Sequence, residues 1–171
     1  MKVVLLSDTH SYLDPNILPY LEACDEIWHA GDIGNLYVAD QLEAIAPLRA
    51  VYGNIDGHEL RIRYPKEWKT TIGGLSIYMI HIGGYPGRYP KALKATLERL
   101  RPDLFICGHS HILKVMRDKK LGTLHLNPGA CGRHGFHRVK TFLQFEIKNG
   151  KLENLQAVEL GLRGKIEEET S

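Results

Sequence analysis

The stretch that decides the fold is Lys2-Val3-Val4-Leu5-Leu6-Ser7-Asp8-Thr9-His10. An unbroken apolar run ends abruptly on polar residues. Such a run, apolar on both faces, reads as a strand buried inside a sheet. Alternate side chains of a strand point the same way, so Asp8 and His10 can reach one point in space. The same grammar recurs along the chain. Glu26–Ala30 precedes Gly31-Asp32, Leu48–Tyr52 precedes Gly53-Asn54, Leu75–Ile80 precedes His81, and Asp103–Cys107 precedes Gly108-His109-Ser110-His111. Strand ends with polar tips are where α/β proteins place their chemistry. These tips carry Asp, His and Asn and almost no Lys or Arg, the donor set of a site for divalent cations.

After this strand, Asp14-Pro15 reads as an N-cap followed by proline at the first helical position, opening a helix through Ala23. Residues 25–29 and 48–52 are strand-like and 36–45 helix-like, which makes the first half β-α-β-α-β with parallel strands. The pattern then changes. Gly73-Gly74 joins strand-like runs at 66–72 and 75–81, and Asn149-Gly150 joins 140–147 to 151–160; both are hairpin signals. Leu93, Leu97 and Leu100 have helical spacing, stopped by Arg101-Pro102. Residues 103–107, 113–118 and 121–126 read as strands. An α/β half followed by a strand-rich half implies two packed sheets with helices outside. The expected domain spans 1–160, with 161–171 a charged, frayed tail.

Composition narrows the class. The chain has 171 residues, 43% of them hydrophobic and 25% charged, as expected of one soluble domain with a sizeable core. A net charge of +2 gives no signal for nucleic-acid or membrane partners. The apolar run after Lys2 is shorter than the ~7–15-residue core of a signal peptide, and no segment approaches the ~18 apolar residues of a membrane span. Cys24, Cys107 and Cys131 are odd in number and widely spaced, suggesting reduced thiols in a cytoplasmic protein.

Each cluster alone has a bland reading: Asp8 as a cap, Gly53-Asn54 as a turn, His81 as a core histidine. Together, in this order and always at strand ends, they read as one metal site. The series Asp8-x-His10, Gly31-Asp32, Gly53-Asn54, His81, Gly108-His109-x-His111 resembles the calcineurin-like metallophosphoesterase superfamily. The short chain and Gly53-Asn54-Ile55-Asp56 resemble its small YfcE-type phosphodiesterase branch, to which the scaffold Vps29 is related. The likeness runs from Met1 to about Glu146 and includes Asn127-Pro128-Gly129.

The resemblance implies an α/β fold, a four-layer α-β-β-α sandwich of two mixed β-sheets flanked by helices. It also implies two divalent metal ions. Asp8, His10, Asp32 and His111 would hold the first, and Asp32, Asn54, His81 and His109 the second, with Asp32 and a hydroxide bridging. With no cysteine in the set, Mn²⁺ is the first expectation, then Fe, Ni or Zn. The implied activity is hydrolysis of a small phosphomonoester or phosphodiester by that hydroxide. The alternative is a non-catalytic, Vps29-like interaction scaffold. A homo-oligomer is left open, since no residue argues for one.

Two departures matter. Many superfamily members carry a histidine, able to protonate the leaving group, where this chain has Ile55. His58 is then a candidate catalytic substitute, against the plain reading of an exposed loop histidine. Asp56 is expected to orient a ligand rather than react. The loop Ala130–Arg138 also departs from the branch, and within it Arg133 and His134 are candidate substrate-binding residues. His29 reads as a brace or as core packing.

Overall fold

A computed structural model describes residues 1–164. In chain order the elements are β1 (Lys2–Leu6), α1 (Leu18–Glu22), β2 (Glu26–His29), α2 (Leu36–Ile45), β3 (Leu48–Ala50), α3 (His58–Arg63), β4 (Glu67–Ile72), β5 (Leu75–Ile80), α4 (Lys91–Leu100), β6 (Leu104–Ile106), β7 (Leu113–Asp118), β8 (Thr123–Pro128), β9 (Val139–Lys148) and β10 (Lys151–Leu162). The strands form two mixed sheets, β10-β9-β1-β2-β3 and β4-β5-β6-β8-β7.

The first half is the expected parallel unit, with β1 paired to β2 and β2 to β3. Asp14 caps a short 3₁₀ turn, Pro15–Ile17, that leads into α1, and Asn35 caps α2 by accepting from Val38 N–H. The hairpin β9–β10 turns at Asn149 and Gly150, both at positive φ, and lays β9 antiparallel on the free side of β1.

The continuous apolar run of β1 now has a cause. Val3 and Leu5 face inward, packing with Trp28 against Ile77, Met79 and Ile106 of the other sheet. Val4 and Leu6 face outward, against Leu21 of α1 and Val38 and Leu42 of α2. On the far side Tyr78 and Phe105 meet Leu93 and Leu97 of α4. The layers are therefore helices, sheet, sheet, helix. Truncating a residue such as Leu5, fully buried, to alanine costs roughly 2–5 kcal/mol.

Two expectations are corrected. His58 is not in a loop: it opens α3, a six-residue helix whose cap, Gly57, offers no side-chain bond. The helix is shorter than the window over which periodicity can be read. Strand β10 also outlasts residue 160. Leu162 pairs with Val139, and Arg163 N–H donates to Arg138 O. The rest of the expected frayed tail, 165–171, lies outside the described residues. Among the described residues no helix is long and apolar enough to cross a membrane.

Candidate metal centre

The polar tips of β1, β2 and β3 meet those of β5 and β6 along one seam between the sheets. Five of the expected ligands, Asp8, His10, Asp32, His109 and His111, have left-handed backbones, with φ between 45° and 69°. Such conformations cost roughly 1 kcal/mol or more each and persist only where the surroundings impose them. Two glycines make the crowding possible. A Cβ at Gly53 would lie 2.0 Å from Asp32 Oδ1, and one at Gly108 would lie 2.1 Å from Ser7 Oγ.

Each carboxylate has one oxygen tied down and one presented. Asp8 Oδ2 accepts from Ser7 Oγ (2.6 Å) and His109 N–H (3.1 Å), leaving Oδ1 3.1 Å from His111 Nε2 and 3.7 Å from His10 Nε2. Asp32 Oδ1 accepts from Ile55 N–H (3.0 Å), while Oδ2 lies 3.5 Å from His10 Nε2 and 3.2 Å from His81 Nε2. Burial opposes the charge on Asp8. The imidazoles of His10 and His111 outweigh it and hold the carboxyl well below the usual range. Asp32 is lowered in the same way: burial opposes, and His81 prevails. His81 is in turn raised, because Asp32 and Asp8 overcome its burial.

His81 Nδ1 lies 2.7 Å from Ala30 O. A carbonyl only accepts, so Nδ1 carries a proton, and Nε2 faces the cleft. Asn54 Oδ1 is 3.1 Å from that Nε2. The donors fall into two groups, Asp8–His10–His111 and Asp32–His81–His109, each with its ligand atoms within 4.8 Å of one another. Asp32 Oδ2 faces a histidine of each group.

These residues fit cations on a further count. Asp8 Oδ1 and His10 Nε2 are buried without a hydrogen-bond partner. A buried orphan costs about 1–3 kcal/mol, and a metal ion satisfies a carboxylate oxygen and an imidazole nitrogen together.

The surrounding residues brace these donors. Asp56, buried, accepts from the N–H groups of Ile33, Gly34 and Gly53, tying the β2 loop to the β3 loop. His29 Nδ1 accepts from Gly31 N–H, so Nε2 carries the proton and donates to Thr9 Oγ1, which donates onward to Ile33 O. Burial keeps this imidazole neutral, down to about 4. Asn127 Nδ2 donates to Gly108 O and Ser110 Oγ, fixing the turn between His109 and His111. Ser110 therefore serves as a structural hydroxyl. Buried Cys107 and Cys131 are both pushed up to about 12 by burial, and neither is poised as a nucleophile.

The remaining candidates stand further out. His58 is exposed on α3, and its side chain has no hydrogen-bond, ion-pair or ring partner among the described residues. Arg133 is exposed with its guanidinium 4.0 Å from the Tyr12 ring centroid, and His134 is exposed with its ring 5.0 Å from that of His10. Sequence reasoning missed two residues. His137 donates from Nε2 to Gly132 O and sets its ring edge-on to His111. Arg61 of α3 donates to the carbonyls of Asp56 and Asn54. Neither sits in a strand-tip pattern, and Arg61 is placed by a helix too short to foresee.

Residues 1–150 match the model of the calcineurin-like phosphoesterase superfamily domain. A protein of Methanothermobacter thermautotrophicus named "Probable metallophosphoesterase" is 29% identical over 137 residues, covering 76% of this chain and 77% of that one. Among solved structures, wild-type Vps29 of Entamoeba histolytica complexed with zinc is similar at a TM-score of 0.73 and 20% identity, over 94% of this chain and 98% of that one. A conserved uncharacterized protein of Streptococcus pneumoniae, described as a predicted phosphoesterase, is similar at a TM-score of 0.69 and 22% identity, over 92% and 88%. At those identities the two structures speak for the fold.

Proposed function

From the premise that this chain belongs to the calcineurin-like phosphoesterase superfamily, we propose that it is a phosphoesterase that works with two divalent metal ions. The observation that carries this is Asp32 Oδ2, lying between His10 of one donor group and His81 of the other. Asp8, His10 and His111 would hold one ion, and Asn54, His81 and His109 the other, with Asp32 shared. The mixed oxygen and nitrogen donors, without thiolate, suit Mn²⁺, Fe, Ni or Zn, and Mn²⁺ is the first ion to test. When bound, the ions supply positive charge for phosphoryl oxygens and acidify water so that a nucleophile exists near neutral pH.

The chain's own residues supply position. Ser7 and the His109 N–H aim Asp8, and the Ile55 N–H aims Asp32. Asp56 and His29 hold the loops that carry them. Arg133 and His134 stand at the rim over Tyr12 and His10, where an anionic ester enters, and are assigned to binding. Ile55 has no proton to give, and His58 has no partner that aims it. The leaving oxygen then departs as an anion or takes its proton from water, which favours esters of acidic alcohols.

The likeness to Vps29 supports a second reading, an interaction scaffold. Because Vps29 of Entamoeba histolytica was itself solved with zinc, metal binding alone does not separate the readings; the full series of expected donors with the hydrogen bonds that aim the carboxylates favours the enzyme. Hydrolysis of bis(4-nitrophenyl) phosphate with and without added Mn²⁺ separates the two. Metal-dependent turnover supports the enzyme, and its absence from a chain with bound metal supports the scaffold.

A further inference from the structure

A cavity of about 490 Å³ opens beside the donor groups and shares Asn54 and His81 with them. We propose that it is a subsite for an aryl-sized, largely apolar organic group of the substrate, one able to carry an acceptor for Lys66. The inference rests on the phosphoesterase reading above.

Volume, wall and rim agree. The cavity lies in the ~300–1,000 Å³ range of sites for small organic ligands. Its walls include Ile80, Ile82 and Leu93 and the ring of Tyr78, apolar surface against which a ring can pack, beside the polar Glu67 and Thr96. Ile82 is 45% exposed, and an occupying ring would cover it. Arg61 and Lys66 also line the cavity. Arg61 is immobilised: its Nε donates to Asp56 O (2.6 Å), a terminal nitrogen donates to Asn54 O (3.2 Å), and the guanidinium lies over Tyr52, 4.7 Å from the ring centroid. Lys66 has no ion-pair partner among the described residues and is free to meet an acceptor. Because the cavity begins at Asn54 and His81, a phosphoryl group held by the donor groups would project its ester substituent into it. Ile55 points the same way: a site without a proton donor suits aryl-type leaving groups, and this cavity fits them.

The test uses phosphonates, whose C–P bond is not hydrolysed. Calorimetric titration of the Mn²⁺-loaded protein should show phenylphosphonate binding about 10-fold or more tighter than methylphosphonate, from burial of the ring. Ala92→Trp, which fills the cavity from α4, should bring that ratio toward one. Circular dichroism checks that the helix survives, and Ile82→Ala on another wall is the second variant and should also lower the ratio. 4-Carboxyphenylphosphonate should exceed phenylphosphonate in the wild type and lose that advantage in Lys66→Ala. Equal affinities for phenyl- and methylphosphonate, or a ratio indifferent to both cavity variants, would overturn the subsite alone. Binding of neither phosphonate to the metal-loaded protein would overturn the phosphoesterase reading and the subsite with it.

Discussion

The sheet β10-β9-β1-β2-β3 brings Asp8, His10, Asp32 and Asn54 to the seam, whereas β4-β5-β6-β8-β7 brings only imidazoles, His81, His109 and His111. All the negative charge comes from one sheet, and most of the nitrogen donors from the other. Neither sheet holds a complete donor group. Asp8 and His10 need His111 from across the seam, and Asp32 needs His81 and His109. The carboxylates are aimed by hydrogen bonds from several loops, including one across the seam from His109 N–H to Asp8. An ion in either group would therefore be a cross-link between sheets as well as a cofactor. That difference makes the two halves separable by experiment.

The largest effect should come from the residue that faces both groups. Asp32→Asn is expected to weaken both ions and to lower hydrolysis of an aryl phosphodiester by more than ~10²-fold, beyond the loss typical of a residue that merely orients a ligand. Asn54→Ala should cost mainly the second ion. Metal content after dialysis decides, and two tightly held ions in Asp32→Asn would mean that it does not bridge.

Next, the cross-link should appear as stability. Mn²⁺ at a hundredfold excess over its Kd adds about 2.7 kcal/mol per site, or roughly 5–10 °C in Tm for a chain of this size. The shift should shrink in Asp32→Asn. Thermal unfolding in Mn²⁺ against chelator measures it; no shift in the wild type would break the cross-link idea.

A smaller effect concerns the imidazole-rich sheet alone. His125 on β8 is buried, its Nδ1 has no partner, and burial lowers it to about 4. Its neutral form is the one that folds. The contribution is therefore fully present above the ordinary value near 6.5 and lost as pH falls toward about 4. In metal-free protein the loss over that window should be about 3 kcal/mol. Denaturant unfolding of the wild type and His125→Gln should show a shallower pH slope in the variant; parallel slopes would contradict the assignment.

The smallest effect belongs to the rim. Arg133→Ala should raise KM for an anionic ester a few-fold, more than it lowers kcat. Unchanged kinetics would return Arg133 to a stacking role on Tyr12.

The candidate donors were legible because most of them follow strands with long apolar runs, and polar residues can follow such a run only where it ends; Asn54, after the half-exposed β3, is the exception. The layers were legible for the same reason, since Val3-Val4-Leu5-Leu6 has to meet apolar surface on both sides. The left-handed backbones of the ligands were not legible. Nothing in Asp-Thr-His or His-Ser-His announces them; they follow from contacts such as Asp8 N–H to Gly31 O and Gly108 N–H to His81 O, made between loops far apart in sequence. The short α3 was invisible to periodicity, and with it Arg61 and the wall it lends to the cavity. His137 was missed because its role is set by the fold of a glycine-rich loop.

Whether two ions spanning the two sheets make one hydrolytic site is decided by titrating Mn²⁺ into metal-free protein while following bound metal and bis(4-nitrophenyl) phosphate hydrolysis together. The expected result is a rate that stays low at one ion per chain and reaches its plateau at two. A plateau reached at one ion, or two bound ions with no hydrolysis above the buffer blank, would contradict it.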